Sequence, residues 1–251
     1  MSALSTIGYR GSVIVGAGVA AALAFGGTAM ADLPEFMMRW DASADNQDEL
    51  WYDPATFGEA RDNGDGTFTY DGGIRNTLWA VDWLVTVDPD PFVDAQIAVT
   101  NTADTFQTFS LLMTLPVDAI VEATIDGSAS ATVTNEFNTD EGAILRALTG
   151  SSIYKAFIDD PNGSGTPAAT LLDDPFSLET DPIPFDTRSA SESFGPMLNG
   201  PVNSSIEVML EFELSPGDSA SINAFFQAVP GPAGAAVFAL FGLVAGGRLR
   251  R

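Results

Sequence analysis

The side chains best equipped for chemistry in this sequence are its carboxylates: 34 Asp and Glu stand against ten Lys and Arg, with no His and no Cys. Lacking thiols and imidazoles, the chain has no thiolate nucleophile, no histidine base and none of the usual zinc ligands. Oxygen donors are what is left. Spaced along a turn they can hold Ca2+, and paired across a cleft they can cut a glycosidic bond. The stretch "RDNGDGTFTYDGG" (61–73) comes nearest to the first arrangement. Counting from Asp62, however, the third and fifth positions are Gly64 and Gly66, so the alternate donors of an EF-type loop are missing. The residues fit a hairpin whose turn uses Asn63-Gly64 or Asp65-Gly66. Asp62, Asn63 and Asp65 stay as candidate ligands of an irregular Ca2+ site, and no other cofactor is expected. Asp88, Asp90 and Asp94 cluster in "VDPDPFVD", where Pro89 and Pro91 make a turn into the next strand. Carboxylate abundance says nothing about a facing pair. No G-x-S-x-G, Walker loop or H-E-x-x-H is present, and the expectation is a protein that is not an enzyme.

The acids are not spread evenly. All 34 lie between Asp32 and Asp218, a stretch with only six bases, which leaves that body at −28. Such a surface repels nucleic acid and anionic lipid, which attract Lys and Arg clusters. It suits cations, basic partners or plain solubility.

Period-two alternation must position these groups, since it recurs throughout the body. In "SIEVMLEFELS", Ile206, Val208, Leu210, Phe212 and Leu214 share one face. Glu207, Glu211 and Glu213 share the other, which reads as the wet side. The same period runs through "TLWAVDWLVTVD", "FVDAQIAVTN", "TFQTFSLLMTL", "AIVEATIDG" and "SINAFFQAV", with weaker strands near Phe68, Val133 and Ile153. These predict an all-β, antiparallel, jelly-roll-like sandwich with Trp79, Trp83, Phe109, Phe212 and Phe226 in its core. One short helix of one to three turns is predicted over 140–148. Residues 32–66 read as an edge strand plus loops. Residues 159–201 hold seven of the fifteen prolines and read as a long crossover of loop and irregular edge.

The two ends follow different rules. Arg10, an uncharged run over 13–27 and Ala29-Met30-Ala31 have the layout of a secretory signal over 1–31, with cleavage set by Ala29 and Ala31. An exported chain without cysteine has no disulfides, and roughly 200 residues can bury enough surface to fold without them. The chain closes with "VPGPAGAAVFALFGLVAGGRLRR" (229–251). Its fifteen uncharged residues, 233–247, would rise only about 22 Å as a helix, against a hydrocarbon core of about 30 Å. Counted from Val229 the run is marginally long enough. Arg248, Arg250 and Arg251 would stay cytoplasmic and leave the acidic body outside.

The motif Val229-Pro230-Gly231-Pro232, the short apolar run and the Arg-rich end together resemble the PEP-CTERM sorting signal of bacterial envelope proteins. That family carries a Pro-Glu-Pro-like motif, a short transmembrane helix and a basic end, and an exosortase processes it. Here Gly231 stands where the family usually has Glu. "DPFVDAQIAVTNTADTFQTFSLLMTLPV" (90–117) is similar to a segment of uncharacterised PEP-CTERM proteins, and its residues read as a hairpin joined at 101–104. The resemblance implies three segments: a signal over 1–31, a sandwich body over 32–228 and a sorting tail over 229–251. It also implies signal peptidase and an exosortase-like enzyme as partners, transient anchoring in the inner membrane, delivery to the envelope or the outside, and association with exopolysaccharide. The alternatives are a calcium- or carbohydrate-binding surface module and, behind it, a secreted carboxylate-dependent glycoside hydrolase. No nucleic acid is expected.

Overall fold

The computed structural model describes residues 33–43, 50–136 and 141–231. In chain order the strands are β1 (Met37–Ala42), β2 (Leu50–Tyr52), β3 (Gly58–Asp62), β4 (Phe68–Arg75), β5 (Trp79–Asp88), β6 (Phe92–Asn101), β7 (Gln107–Pro116) and β8 (Ile120–Thr134). They continue as β9 (Ile144–Arg146), β10 (Ser152–Ile158), β11 (Ala169–Asp173), β12 (Ser177–Glu179), β13 (Thr187–Val202), β14 (Ser205–Leu214) and β15 (Ser219–Pro230). A single 3-10 turn, Pro54–Phe57, is the only helical element among the described residues. No helix among them is long and apolar enough to cross a membrane.

The strands form two antiparallel sheets. Sheet A runs β11-β10-β14-β7-β1-β2, with β9 bridging β14 and β12; sheet B runs β13-β8-β15-β6-β5-β4-β3. Alternation explains the layers. Along β5, Trp79, Val81, Trp83, Val85 and Val87 are buried, and along β14 so are Ile206, Val208, Leu210, Phe212 and Leu214. These inward faces merge into one apolar core reaching from Phe36 to Ala228. All five predicted core aromatics lie in it. Trp40 of sheet A meets Trp79 of sheet B with ring centroids 5.3 Å apart. The Tyr154 hydroxyl of β10 donates to the Phe225 carbonyl of β15 at 3.0 Å, satisfying a buried polar tip between the layers.

Three local expectations are corrected. Residues 141–148 contain no helix; β9 occupies Ile144–Arg146. The reason is a short period of two: Ala143, Leu145 and Ala147 are buried, while Arg146 points outward to Glu213 at 2.6 Å. Second, β6 and β7 do not form a hairpin. Strand β6 pairs with β5 and β15 in sheet B, and β7 pairs with β1 and β14 in sheet A. Asn101 turns this corner: its buried Nδ2 donates to the carbonyls of Thr105, Leu214 and Ser215. Third, Glu207 is not on a wet side, since it has 0% exposure. The Pro-rich stretch does lie at the edges, as β11 on sheet A and the bulged β13 on sheet B, and β2 and β3 are the opposite edges.

Candidate functional site

The first part of the candidate sorting motif is strand. Val229 pairs with Thr124 and Pro230 with Ala123, so β15 runs beyond residue 228 along β8. The Gly231 N–H then donates to the Glu122 carbonyl at 2.8 Å. On the other side, pairing with β6 ends at Gln227, followed by one bond from the Ala228 N–H to the Pro91 carbonyl at 3.1 Å. Pro230 has no N–H to give, and it sits where β15 keeps a single neighbour, a position that tolerates proline. Leu198 of β13 and Val229 flank Thr124 in one row, and Leu198 is 66% exposed. Nearby Val121, at the start of β8, is 89% exposed. A hollow of about 440 Å3 beside the exit is lined by Pro230, Asp88, Asp90, Asp118 and Gly66 among others. Pro232, Arg248, Arg250, Arg251, Ala29 and Ala31 lie outside the described residues.

Asp62, Asn63 and Asp65 form the tip of the β3–β4 hairpin, and one carboxylate oxygen of each Asp is engaged by the turn itself. Asp62 accepts from the Gly64 N–H at 2.7 Å, and Asp65 accepts from the Thr67 N–H at 3.0 Å and its hydroxyl at 2.7 Å. The Thr67 bonds hold the Asp65 carboxyl below its ordinary pKa. Asn63 donates to the hydroxyls of Thr67 and Thr69. Gly64 and Gly66 have φ of +80° and +98°, the left-handed region that glycine enters without a Cβ penalty. Asp88 caps its turn similarly, its carboxylate accepting from the Asp90 N–H at 2.9 Å. Among the described residues no three Asp or Glu converge in a way that could hold a metal ion.

Sequence reasoning missed a buried acid. Glu207 points outward from sheet A, but residues 159–163 lie over its face. The Leu112, Phe157 and Met209 side chains form a small apolar cluster on this face. Gly163 rests on it, so close that a Cβ there would lie 3.2 Å from Leu112 Cδ1. Arg39 donates to the Asn162 carbonyl at 3.1 Å. The Asp159 carboxylate pins the near end, accepting from the Asn203, Ser204 and Ser205 N–H groups at 2.7–3.3 Å. Burial would raise Asp159, but the bonds from Asn203 and Ser204 outweigh it and hold the carboxyl low. Glu207 goes the other way. Burial pushes its pKa up to about 6, and Asp160 and Asp159 add like-charge repulsion. The Ser205 hydroxyl and the Asp160 N–H offset part of this. Neither makes a well-directed bond, since both Glu207 oxygens and Ser205 Oγ are buried without a partner. Fully enclosed, Glu207 has no surface to offer a substrate. The signal that could have found it is Met209, which interrupts the glutamate face of β14 next to Glu207; alternation alone reports the side of a sheet and not what covers that side.

Sheet B has the opposite outer face. Ser191, Ser130, Asn223 and Gln96 lie side by side on β13, β8, β15 and β6. Ser193, Ser128, Phe225 and Asp94 form the adjacent row. A hollow of about 290 Å3 opens over the two rows, and partial burial raises the Asp94 pKa. Asn223 donates to the Ser130 hydroxyl at 3.0 Å.

Comparison with known proteins gives no family: no protein-family model matches this chain, and no curated protein matches it significantly.

Proposed function

We propose that this chain is an exported, non-enzymatic protein of the cell envelope or extracellular matrix, delivered by a PEP-CTERM-like tail. Its jelly-roll-like body carries a signal helix at one end and a short apolar helix at the other. Signal peptidase removes residues 1–31, the tail holds the body briefly in the inner membrane, and an exosortase-like enzyme acts at Val229–Pro232. The observation that carries the reading is the order of parts at the exit: the last strand of the sandwich ends on the motif, and an uncharged run and three arginines follow it. The −28 body and the basic end would then lie on opposite sides of the membrane. Intact-mass spectrometry of cell-associated and released protein tests this. The expected released form ends within or just after the motif; residues 233–251 retained in every form would overturn it.

A second reading is a carbohydrate-binding module, favoured by the two polar rows of sheet B. Ser, Asn and Gln groups on neighbouring strands recur every ~4.8 Å, and they can donate to and accept from sugar hydroxyls. The strongly acidic body suits a neutral polymer over an anionic one. Asn223→Ala and Gln96→Ala should weaken retention on a neutral polysaccharide matrix; retention unchanged in both variants would remove this reading.

A further inference from the structure

The sorting reading treats residues 229–232 as a peptide that an enzyme can grip, yet three of the four are seated in the sandwich. Enzymes that cut peptide bonds take the chain extended and unpaired for several residues around the bond. Val229 and Pro230 are paired with β8, and the Gly231 N–H is held by Glu122. Gly231 is buried, and Leu198 and the Glu122 stem would both lie within 4 Å of a Cβ there. We infer that the folded sandwich masks its own sorting motif, and that processing requires the last rungs of β15 to open.

The geometry says which rungs these are. Up to Gln227, β15 is clamped between β6 and β8, and its Ala220, Ile222, Ala224 and Phe226 side chains are core. Beyond Gln227 the ladder has one partner strand, Pro230 contributes no donor, and Val229 and Pro230 face solvent. The end of β15 can therefore peel from β8 as a local event while the rest of the strand stays in place. The inference rests on the sorting reading and adds its regulation. A chain whose β15 has not yet closed is cut fast, and a completed sandwich is cut at a rate set by fraying. In the cut a peptide C–N bond at or after the motif breaks. The acyl carbon passes to water or to an acceptor amine, and the tail leaves as an amine that takes up the proton.

The test inserts six Gly/Ser residues between Ala228 and Val229 in the full-length chain, moving the intact motif off the ladder. Pulse-chase labelling in the cells that make the protein follows loss of the tail by mass. Two lost ladder bonds predict processing roughly tenfold faster than wild type. A lock is the converse variant: Thr124→Cys with Val229→Cys joins directly paired residues, whose spacing suits a disulfide. Its processing should stall when oxidised and resume on reduction, with each molecule serving as its own folding control. Equal rates for the wild type, the spacer variant and both redox states of the lock would overturn masking and leave the sorting reading intact. A tail retained in every variant, the spacer form included, would overturn both.

Discussion

The two outer faces of the sandwich meet water in opposite ways: period two runs unbroken along β6, β8 and β15 of sheet B, but outward apolar residues break it on β7, β10 and β14 of sheet A. On sheet A, Leu112, Phe157 and Met209 stand among the outward residues, and a segment of irregular chain lies over them. The polar groups caught beneath must find partners or change charge. Asp159 finds amides, and Glu207 finds nothing. On sheet B the central outward residues of β8 and β13 are Ser and Thr, and β15 adds Ser221, Asn223 and one apolar side chain, Phe225, whose ring lies beside Phe92 of β6. Their partners come from the next strand, as in the Thr132–Ser189 hydroxyl pair at 2.9 Å. The three-residue apolar cluster on sheet A seats a cap, whereas Phe225 on sheet B finds its neighbour, Phe92, within the same sheet. The cap decides whether its acids behave as ordinary surface groups.

Removing the seat of the cap should have the largest effect. Phe157 is buried against Leu112 and Met209, and Phe157→Ala should cost about 3–5 kcal/mol in chemical denaturation. A cost under about 1 kcal/mol would mean that the segment is held by its polar ends alone. Next comes Asp159→Ala, which leaves the Asn203, Ser204 and Ser205 amides without their charged acceptor and should cost about 2–3 kcal/mol. Asp159 also has a φ of +57°, a conformation that Asn tolerates well. Asp159→Asn should therefore recover about half of the loss, and no recovery would place the whole effect in the charge.

Most of the layered fold was legible because burial in a two-sheet sandwich imposes the period-two signal that sequence carries. The six strongest strands and all five core aromatics follow from it. What failed was whatever depends on contacts between distant segments. Glu207 reads like Glu211 until residues 159–163 close over its face, and β6 and β7 read like a hairpin whether they pair or part to separate sheets. At residues 140–148, Ile144, Leu145 and Leu148 fit a helical face while Ala143, Leu145 and Ala147 fit one side of a strand, so the spacing does not choose between them. At the candidate motif, residue types and spacing were visible at once. Their seating on β8 was not, because Val229 and Pro230 carry no outward sign of pairing.

The covered face should also make stability depend on pH. The folded pKa of Glu207, about 6, lies above its unfolded value of 4.5. Between those limits the folded state holds the proton more tightly, so this group's contribution is fully present below about pH 4.5 and is lost as pH rises through 6. Thr114 on β7, Phe157 on β10, Ser205 on β14 and the carboxylates of Asp159 and Asp160 surround it, with no cation among them. Glu207→Gln, which keeps the shape and cannot ionise, should match wild type at pH 4.5 and exceed it by about 1–2 kcal/mol at pH 7.5. Thermal melts at the two pH values read this as a gap of a few degrees that opens only at the higher pH. Equal stability at pH 7.5 would mean that water or an ion reaches the carboxylate beneath the cap.

The smallest effect is expected on sheet B, and it is the control that gives the others meaning. Asn223 is exposed and donates once, to a Ser130 hydroxyl that water can serve equally well. Asn223→Ala should change stability by no more than about 0.5 kcal/mol at any pH between 4.5 and 7.5. Asn223 and Asp159 are both polar residues bonded to a neighbouring strand or loop, so composition alone predicts similar losses. If Asn223→Ala proves as costly as Asp159→Ala, the open face is also covered, and a second copy of the chain is the first occupant to look for by sedimentation. If its cost stays small while Asp159→Ala is severe, the difference lies in the cap.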